Sequence, residues 1–233
     1  MTTPSYIARR GELEHYFDRT AVDAWKRLTS DAPVGRVRAT VRGGRDAMRN
    51  TLLSWLPADL RGARLLDAGC GTGALAIEAA RRGADVLAID ISPTLVNLAQ
   101  DRAPRDLGAG RLTFSVGDML DPTLGRFDHV VAMDSLIHYE GKDIAHTLAA
   151  LAMRTSGSVV FTIAPRTPAL TIMHAMGRFF PRGDRSPAIA PISQRALERH
   201  FEAHAALAGW RIARSQRVNR GFYISQALEA RRP

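Results

Sequence analysis

The stretch LLDAGCGTGA, residues 65–74, joins an apolar strand to a glycine-rich turn and the start of a helix. Gly69, Gly71 and Gly73 let the backbone approach a ligand closely, and the first turn of the following helix offers unpaired N–H groups. With Ala74 as the last small residue, the stretch satisfies the dinucleotide pattern G-x-G-x-x-G/A. It therefore predicts a cofactor site where a strand ends and a helix begins.

Around this stretch, short apolar strands alternate with helical patterns, which is typical of a parallel sheet with crossover helices. Strands are predicted over 63–67, 85–90, 112–116, 129–133 and 158–163, and helices begin near Ala74, Pro93 and Lys142. Ser92 is a suitable N-cap because a proline follows it at the first helical position. Two last strands, 210–218 and 222–229, predict a hairpin. The predicted fold class is α/β and Rossmann-like, a mostly parallel twisted sheet with a C-terminal antiparallel hairpin.

The flanking segments predict helices that lie outside this alternation. Helical patterns over 13–28 and 37–56 are assigned to an N-terminal helical cap spanning residues 1–60. The rest of the chain, 61–233, is predicted to be one domain with an insertion at about 168–192.

The insertion begins with an apolar helix over 168–180 and continues as a loop rich in glycine, proline and arginine. We expect it to be a lid that closes over the ligand. After it, Ser193 caps a helix that is predicted to run to about Ala208.

The composition and the charge pattern limit which kinds of partner the protein can bind. The 233 residues are 45% apolar and 24% charged, as in ordinary globular proteins. The formal net charge is +9, but basic residues are interleaved with acids, with no run of five or more. This pattern argues against a nucleic-acid partner and leaves open an acidic small molecule or an anionic membrane surface.

The single cysteine, Cys70, excludes an intrachain disulfide and a multi-cysteine zinc site. The sequence has no run of about 18 apolar residues that could span a bilayer. Its charged first residues differ from a secretory signal peptide. We therefore expect a cytoplasmic protein.

Three aspartates follow predicted strand ends. Asp67 precedes the first glycine, where its carboxylate would repel a pyrophosphate and attract a ligand with an ammonium and a sulfonium, such as S-adenosylmethionine (SAM). Asp90 can accept from both ribose hydroxyls, a role shared by NAD and SAM proteins. Asp118 can accept from an adenine amino group, with Met119 in apolar contact. A lone aspartate commonly caps a turn, but three in register with a glycine loop favour SAM.

From about Ala63 to Ile163 these features resemble the class I SAM-dependent methyltransferases. Over nearly the whole chain the resemblance narrows to the magnesium-protoporphyrin IX O-methyltransferase family. The segments that carry it are YFD (16–18) with Trp25, DAGCGTG (67–73), DIS (90–92), LIHY (136–139), APRTPAL (164–170), FFP (179–181) and FY (222–223). Segments 164–170 and 179–181 are similar to that family in particular.

The resemblance implies a place in chlorophyll and bacteriochlorophyll biosynthesis, hence in photosynthesis. The implied reaction moves the SAM methyl group to one propionate of magnesium protoporphyrin IX and gives the monomethyl ester. SAM is the co-substrate, and magnesium enters only as part of the porphyrin. The implied partners are the porphyrin, handed over by magnesium chelatase, and the photosynthetic membrane in peripheral contact.

Site residues are assigned on the same basis. The predicted cofactor-binding residues are Asp67, Gly69, Gly71, Gly73, Asp90, Ile91, Asp118, Met119 and Met133. A propionate is ionised at neutral pH, so placement of the carboxylate can carry most of the catalysis. His138, after the fourth strand, is the first candidate to hold that carboxylate, and Tyr16 the second. A histidine near a strand end is also commonly structural, and both interpretations stay open.

A flat acidic macrocycle needs a broad apolar pocket with a positive rim. The predicted pocket residues are Tyr139, Met173, Met176, Phe179, Phe180 and Arg178. Tyr139 fits a core position equally well, and the others also fit an ordinary amphipathic helix packed on the sheet. No carboxylate cluster in the sequence suggests a metal held by the protein.

Three alternative functions remain open. The nearest is a SAM-dependent O-methyltransferase of another small acid or a phenol on the same fold. An NAD-binding oxidoreductase is more distant, because Asp67 and Asp118 argue against it. A basic RNA-binding protein is opposed by the scattered charge.

Overall fold

The computed structural model describes residues 2–20, 35–166 and 188–232. Its strands are β1 Arg64–Ala68, β2 Asp85–Asp90, β3 Arg111–Val116, β4 Phe127–Ala132, β5 Thr155–Ile163, β6 Arg211–Arg220 and β7 Tyr223–Arg231. Within the described ranges they form one sheet in the order β3-β2-β1-β4-β5-β7-β6. Strands β1 to β5 pair in parallel, and β7 runs antiparallel to both β5 and β6.

The helices within these ranges are α1 Pro4–His15, α2 Arg36–Trp55, α3 Ala74–Arg81, α4 Pro93–Arg102, α5 Gly141–Ala152 and α6 Gln194–Glu202. Helix α1 continues into a π-helical segment, Tyr16–Thr20, and tight 3-10 turns form at Pro122–Leu124, Leu136–His138 and Ala205–Leu207. Two helix starts follow directly from the sequence. The hydroxyls of Thr3 and Ser92 cap α1 and α4, and a proline follows each of them.

The position of β1 within the sheet determines where the crevice of the site lies. This strand pairs with β2 on one side and β4 on the other. The chain therefore leaves the ends of β1 and β4 in opposite directions, which opens a crevice at the carboxyl edge of the sheet. The glycine loop after β1 and residues 133–139 after β4 face each other across this crevice.

Both faces of the sheet are covered. Leu65 belongs to a core that includes residues of α2 and α3, while Leu66 belongs to a second core that includes residues of α1, α5 and α6. The alternation of adjacent residues between the two cores follows from the period of a strand. The sheet is thus a rigid platform for the loops at its edge.

The predicted α/β, Rossmann-like methyltransferase fold is confirmed, with all five predicted strands and the C-terminal hairpin in place. Helix α1 begins at Pro4, not near residue 13, because Thr3 caps it. The helix after Ser193 ends at Glu202, not near Ala208, since the chain then forms a separate turn that buries Leu207.

Two predictions fall partly outside the described residues. The helix predicted over 13–28 is described only to residue 20, and the lid predicted over 168–192 only at 188–192. The division into a helical cap over 1–60 and a catalytic domain over 61–233 stays a prediction. None of the helices in the described ranges is long and apolar enough to cross a membrane.

Candidate active site

A cavity of about 360 Å³ lies in the crevice between the loops after β1 and β4. The strand ends and their loops contribute Asp67, Gly69, Cys70, Gly71, Thr72, Ala74, Leu75, Ile89, Asp90, Ile91, Leu95, Gly117, Met119, Met133, Asp134, Ser135, His138 and Tyr139. The N-terminal helical part contributes Leu13, Phe17, Arg42, Arg45, Asp46 and Arg49.

The glycine loop is tied to the end of β2. The backbone N–H groups of Gly69 and Cys70 donate to the Ile89 carbonyl, at 2.8 and 3.0 Å. Gly71 has a φ of 53°, in the left-handed region, and a Cβ there would meet no atom within 4 Å. Because the residue lines the cavity, its missing side chain leaves room for a ligand against the backbone.

Asp67, at the end of β1, is a buried carboxylate whose bonding is incomplete. The residue is 1% exposed, and its Oδ2 atom has no hydrogen-bond partner among the described residues. Burial, and to a lesser extent the nearby Asp90 carboxylate, raise the pKa of Asp67 to about 7. A buried anionic oxygen of this kind is stabilised by a cation, which the cavity can admit.

Asp90, at the end of β2, is fixed by backbone donors. Its Oδ2 accepts from the N–H of Gly71 at 2.8 Å and its Oδ1 from the N–H of Ser92 at 3.0 Å. Burial raises the pKa of Asp90, while these backbone hydrogen bonds act in the opposite direction. Each carboxylate oxygen can accept a further bond, so the group is suited to a pair of ligand hydroxyls.

Asp118, which is predicted to accept from an adenine, has both carboxylate oxygens hydrogen-bonded to α1. Its Oδ1 accepts from the Tyr6 hydroxyl at 2.7 Å, and its Oδ2 accepts from Arg10 at 2.6 Å. Asp118 does not line the cavity, whereas its neighbours Gly117 and Met119 do. In this structure the carboxylate fastens α1 across the loop after β3, and its role toward adenine stays a prediction.

His138 lies in the short turn after β4 and is only 6% exposed. Its Nδ1 lies 3.3 Å from the carbonyl oxygen of Ala188, and its ring is edge-on to Phe17. Burial lowers the pKa of His138 below its ordinary value of 6.5, although the Ala188 carbonyl and the Asp134 carboxylate raise it. The neutral imidazole is therefore the favoured form at neutral pH.

The two tyrosines assigned to the acceptor side are placed differently. Tyr139 lines the cavity, is 3% exposed and stacks on Tyr6 with ring centroids 4.9 Å apart, so it serves both the core and the cavity wall. Tyr16 does not line the cavity, while the adjacent Phe17 does. The assignment of Tyr16 to the acceptor stays a prediction.

Asp134 is the centre of a network that the sequence did not reveal. Its φ is 55°, the one left-handed value at a non-glycine residue among the described residues. The carboxylate accepts from Arg45 at 2.9 Å and from the Tyr223 hydroxyl at 3.0 Å, and its backbone N–H donates to Thr162 at 2.7 Å. These bonds hold a strained backbone in the cavity wall.

The basic side of the cavity was also missed. Arg42, Arg45 and Arg49 line it from α2 at a spacing of one helical face. That spacing is visible in the sequence RGGRDAMR, residues 42–49, but nothing in the sequence alone shows that this face meets the glycine loop.

The structure thus brings together most of the predicted site. The predicted residues that line the cavity are Asp67, Gly69, Gly71, Asp90, Ile91, Met119, Met133, His138 and Tyr139. Those described but outside its lining are Gly73, Asp118 and Tyr16. Met173, Met176, Arg178, Phe179 and Phe180 lie outside the described residues. Among the described residues no group of three His, Cys, Asp or Glu side chains is placed to hold a metal ion.

Comparison with known proteins identifies the family. Residues 65–155 match the model of a methyltransferase domain, and residues 132–232 match that of the magnesium-protoporphyrin IX methyltransferase C-terminus. The magnesium-protoporphyrin O-methyltransferase of Rhodobacter capsulatus is 52% identical over 97% of this chain and 98% of its own length. The chain belongs to the magnesium-protoporphyrin O-methyltransferase family.

Other members of this family give the same result. The magnesium-protoporphyrin O-methyltransferase of Synechocystis is 32% identical over 94% of each chain. The crystal structure of magnesium protoporphyrin IX methyltransferase from Synechocystis with bound S-adenosylhomocysteine (SAH) superposes with a TM-score of 0.82 at 30% identity. It covers 96% of this chain and 99% of that one. This methyltransferase therefore shares its family's fold over nearly its whole length.

Proposed function

We propose that this chain transfers the methyl group of SAM to one propionate carboxylate of magnesium protoporphyrin IX, giving the monomethyl ester. The observation that carries the proposal is a single cavity in which Asp67 and His138 both lie. The family relationship supplies the identity of the acceptor, and with it the place in chlorophyll and bacteriochlorophyll biosynthesis.

The residues at the carboxyl edge of the sheet fit SAM. The Oδ2 of Asp67, which has no hydrogen-bond partner among the described residues, is suited to the ammonium group, because a buried carboxylate is stabilised by a cation. Asp90, held by two backbone donors, is placed to accept from the ribose hydroxyls. The open side of Gly71 leaves room for the ligand beside the loop. SAM, when bound, supplies a methyl group activated by a positively charged sulfur.

NAD fits this cavity less well than SAM does. Asp67 lies directly before the glycine loop, where a pyrophosphate would place its negative charge. The buried carboxylate already shares its surroundings with Asp90, as its raised pKa shows. A further anion at this position would be repelled.

His138 keeps the acceptor propionate in its ionised, reactive form. The Ala188 carbonyl can only accept, so the hydrogen bond at Nδ1 places the ring proton there and leaves Nε2 with its lone pair. A propionate has a pKa near 4.5 in water; the carboxylates that line the cavity raise this pKa and the arginines of α2 that line it lower it, so the acceptor is mainly ionised at neutral pH. The imidazole accepts the proton from the fraction that is still protonated, and the carboxylate oxygen is the nucleophile.

Positioning supplies the remaining rate. The turn that contains His138 is held by the buried Leu136 on one side and Tyr139 on the other. A carboxylate held against such a rigid wall loses little further freedom when it meets the methyl group. The Phe17 ring beside His138 limits access of water to the same point.

The experiment that tests the proposal is incubation of the purified protein with SAM and magnesium protoporphyrin IX. We expect a product heavier by one methyl group that alkaline hydrolysis returns to the diacid, as a carboxyl ester requires. Small carboxylic acids and phenols, offered separately, test the alternative acceptors. A product from one of these and none from the porphyrin would contradict the proposal.

The role of His138 has its own test. We expect His138→Ala to lower kcat at least tenfold, because the protonated fraction of the acceptor can no longer react and the wall that places the carboxylate is lost, with little change in SAH affinity. His138→Gln is the matched control, because it keeps polarity and volume without a basic nitrogen, and it should be equally slow. Full activity of either variant would show that His138 is a core histidine.

Three parts of the assignment stay predictions. They are handover of the porphyrin from magnesium chelatase, peripheral contact with the photosynthetic membrane and a cytoplasmic location. Sedimentation with vesicles of photosynthetic lipids tests the membrane contact directly.

A further inference from the structure

Helix α2 presents two chemically different faces. Met48 and Leu52 lie fully buried in the core against the sheet. Arg42, Arg45 and Arg49, at positions i, i+3 and i+7, line the cavity, together with Asp46, which pairs with Arg49. The cavity therefore has an acidic side, at the ends of β1 and β2, and a basic side on α2.

The basic side is not uniform along the helix. The N-terminal half of α2 lies against the β6–β7 hairpin, because a Cβ on Gly44 would fall 2.5 Å from Tyr223 and one on Gly221 would fall 3.1 Å from Thr40. The C-terminal half reaches the end of α3, where Arg82 donates to the Leu53 carbonyl at 2.6 Å. Of the three arginines, Arg42 and Arg45 are therefore the ones on the hairpin side of the cavity.

Arg45 is built into the wall on that side. Its Nη1 donates to Asp134 at 2.9 Å, and Asp134 is held in turn by the Tyr223 hydroxyl. The Asp134 side chain is 7% exposed and the Arg45 side chain 23%. A guanidinium held in this way loses little further side-chain freedom when it meets an anion in the cavity.

The methyl acceptor has a second carboxylate that an arginine can bind. Magnesium protoporphyrin IX carries two propionates, and only one becomes the ester. A tight arginine clamp on the reacting carboxylate would weaken it as a nucleophile, so an arginine is better suited to the other one. His138, on the turn after Asp134, lies close in sequence to the Arg45 contact and faces the same cavity.

We propose that Arg42 and Arg45 form a carboxylate-binding subsite that holds the propionate that is not methylated. The inference rests on the proposed function. The two propionates of one substrate then lie against two different walls of the cavity. The propionate that is methylated lies at His138, and the one that is not methylated lies at the arginines of α2. The subsite thereby orients the macrocycle and selects which propionate reaches the methyl group.

The test compares two substrates across matched variants. The substrates are magnesium protoporphyrin IX and a magnesium porphyrin in which an ethyl group replaces the second propionate. The variants are Arg42→Gln and the pair Arg45→Gln with Asp134→Asn, which removes both charges of the ion pair together. Arg38→Gln is the control, because Arg38 is exposed on the same helix and does not line the cavity.

For the diacid we expect KM to rise about tenfold in each site variant, the usual loss of one charged hydrogen bond. The wild-type protein should show a similar rise when it is given the mono-acid. With the mono-acid, the KM of the site variants should equal that of the wild type. Arg38→Gln should match the wild type on both substrates.

Two results would overturn the inference. An equal rise in KM for both substrates would show that the arginines do not read the second propionate. A tenfold rise in the Kd of SAH in the same variants would assign them to the carboxylate of the cofactor instead. Failure of the proposed function is distinct from either result, because the wild-type protein would then form no porphyrin ester at all.

Discussion

Asp67 and Asp134 stand at the ends of neighbouring strands, β1 and β4, and line the same cavity, yet their surroundings are opposite. Asp134 accepts from Arg45 and from Tyr223. Asp67 has an oxygen without any partner in the described part of the chain. The protein itself supplies the partners of Asp134, whereas the described residues leave Asp67 incomplete.

The contrast fits the proposed function, in which one cavity receives two charged molecules. A carboxylate that already has its counter-ion shapes the wall, and unpairing it is costly. A carboxylate that lacks one costs stability in the free protein and favours binding of a cation. Substitutions at Asp67 and Asp134 test this contrast.

The largest effect should come from Asp134→Ala. Removing one partner of a mostly buried ion pair leaves the Arg45 charge uncompensated, so the free energy of unfolding should fall by about 3 kcal/mol or more. Urea unfolding monitored by circular dichroism measures this change. Asp46→Ala is the control: Asp46 pairs with Arg49 but its side chain is 48% exposed, and we expect a loss below about 1 kcal/mol. Equal losses of unfolding free energy in Asp134→Ala and Asp46→Ala would show that the Asp134 ion pair is no more important than an exposed one.

Asp67→Asn should act mainly on the ligand. We expect the Kd of SAH to rise by about ten- to a hundredfold, because the variant keeps the shape of the side chain and loses its charge. Isothermal titration calorimetry measures the affinity. Asp85→Asn, at the exposed opposite end of the next strand, should leave it unchanged. An unchanged Kd in folded Asp67→Asn protein would show that Asp67 does not bind the cofactor.

The same substitution should stabilise the free protein at alkaline pH. The pKa of Asp67 is raised from 3.8 to about 7 in the folded state, so ionisation of this group opposes folding. Its cost is absent below pH 4, grows as the pH rises and is complete above pH 7. At pH 8, Asp67→Asn should raise the free energy of unfolding, whereas Asp134→Asn should lower it. A loss in both variants would contradict the comparison.

The smallest effect should come from Asp90→Asn. The amide keeps one oxygen acceptor but loses the charge and one of the two oxygens that accept from Gly71 and Ser92, so the affinity for SAH should fall by about 1 kcal/mol. Asp90→Ala removes the acceptor as well as the bonds to Gly71 and Ser92, and it should lose more. Titration of both variants with SAH gives the order, and the reverse order would place the ribose elsewhere.

The two sides of the cavity also differ in how far the sequence predicts them. Asp67, the glycine loop and Asp90 lie within one βαβ unit, and the bond from Gly71 to Asp90 spans 19 residues. Local patterns of this kind are visible in the sequence because one turn and two strand ends create them. The same holds for the five parallel strands and the hairpin.

The basic side is assembled from distant parts of the chain. The contacts of Asp134 with Arg45 and with Tyr223 each span 89 residues in sequence, in opposite directions. Only the packing of α2 across the hairpin brings them together, with Gly44 against Tyr223. The contacts of Asp118 with Tyr6 and Arg10 of α1 likewise span 112 and 108 residues, so its position after β3 does not reveal them.

The pH dependence of SAH affinity tests most directly whether the ligand completes Asp67. Because the pKa of Asp67 is about 7 in the free protein, the carboxylate protonates just below neutrality and its attraction for the ammonium group is lost. The Kd of SAH for the wild-type protein should therefore rise steadily as the pH falls from 8 to 5.5, while the Kd for Asp67→Asn should be higher and nearly constant. An identical pH dependence in the two proteins would contradict the account.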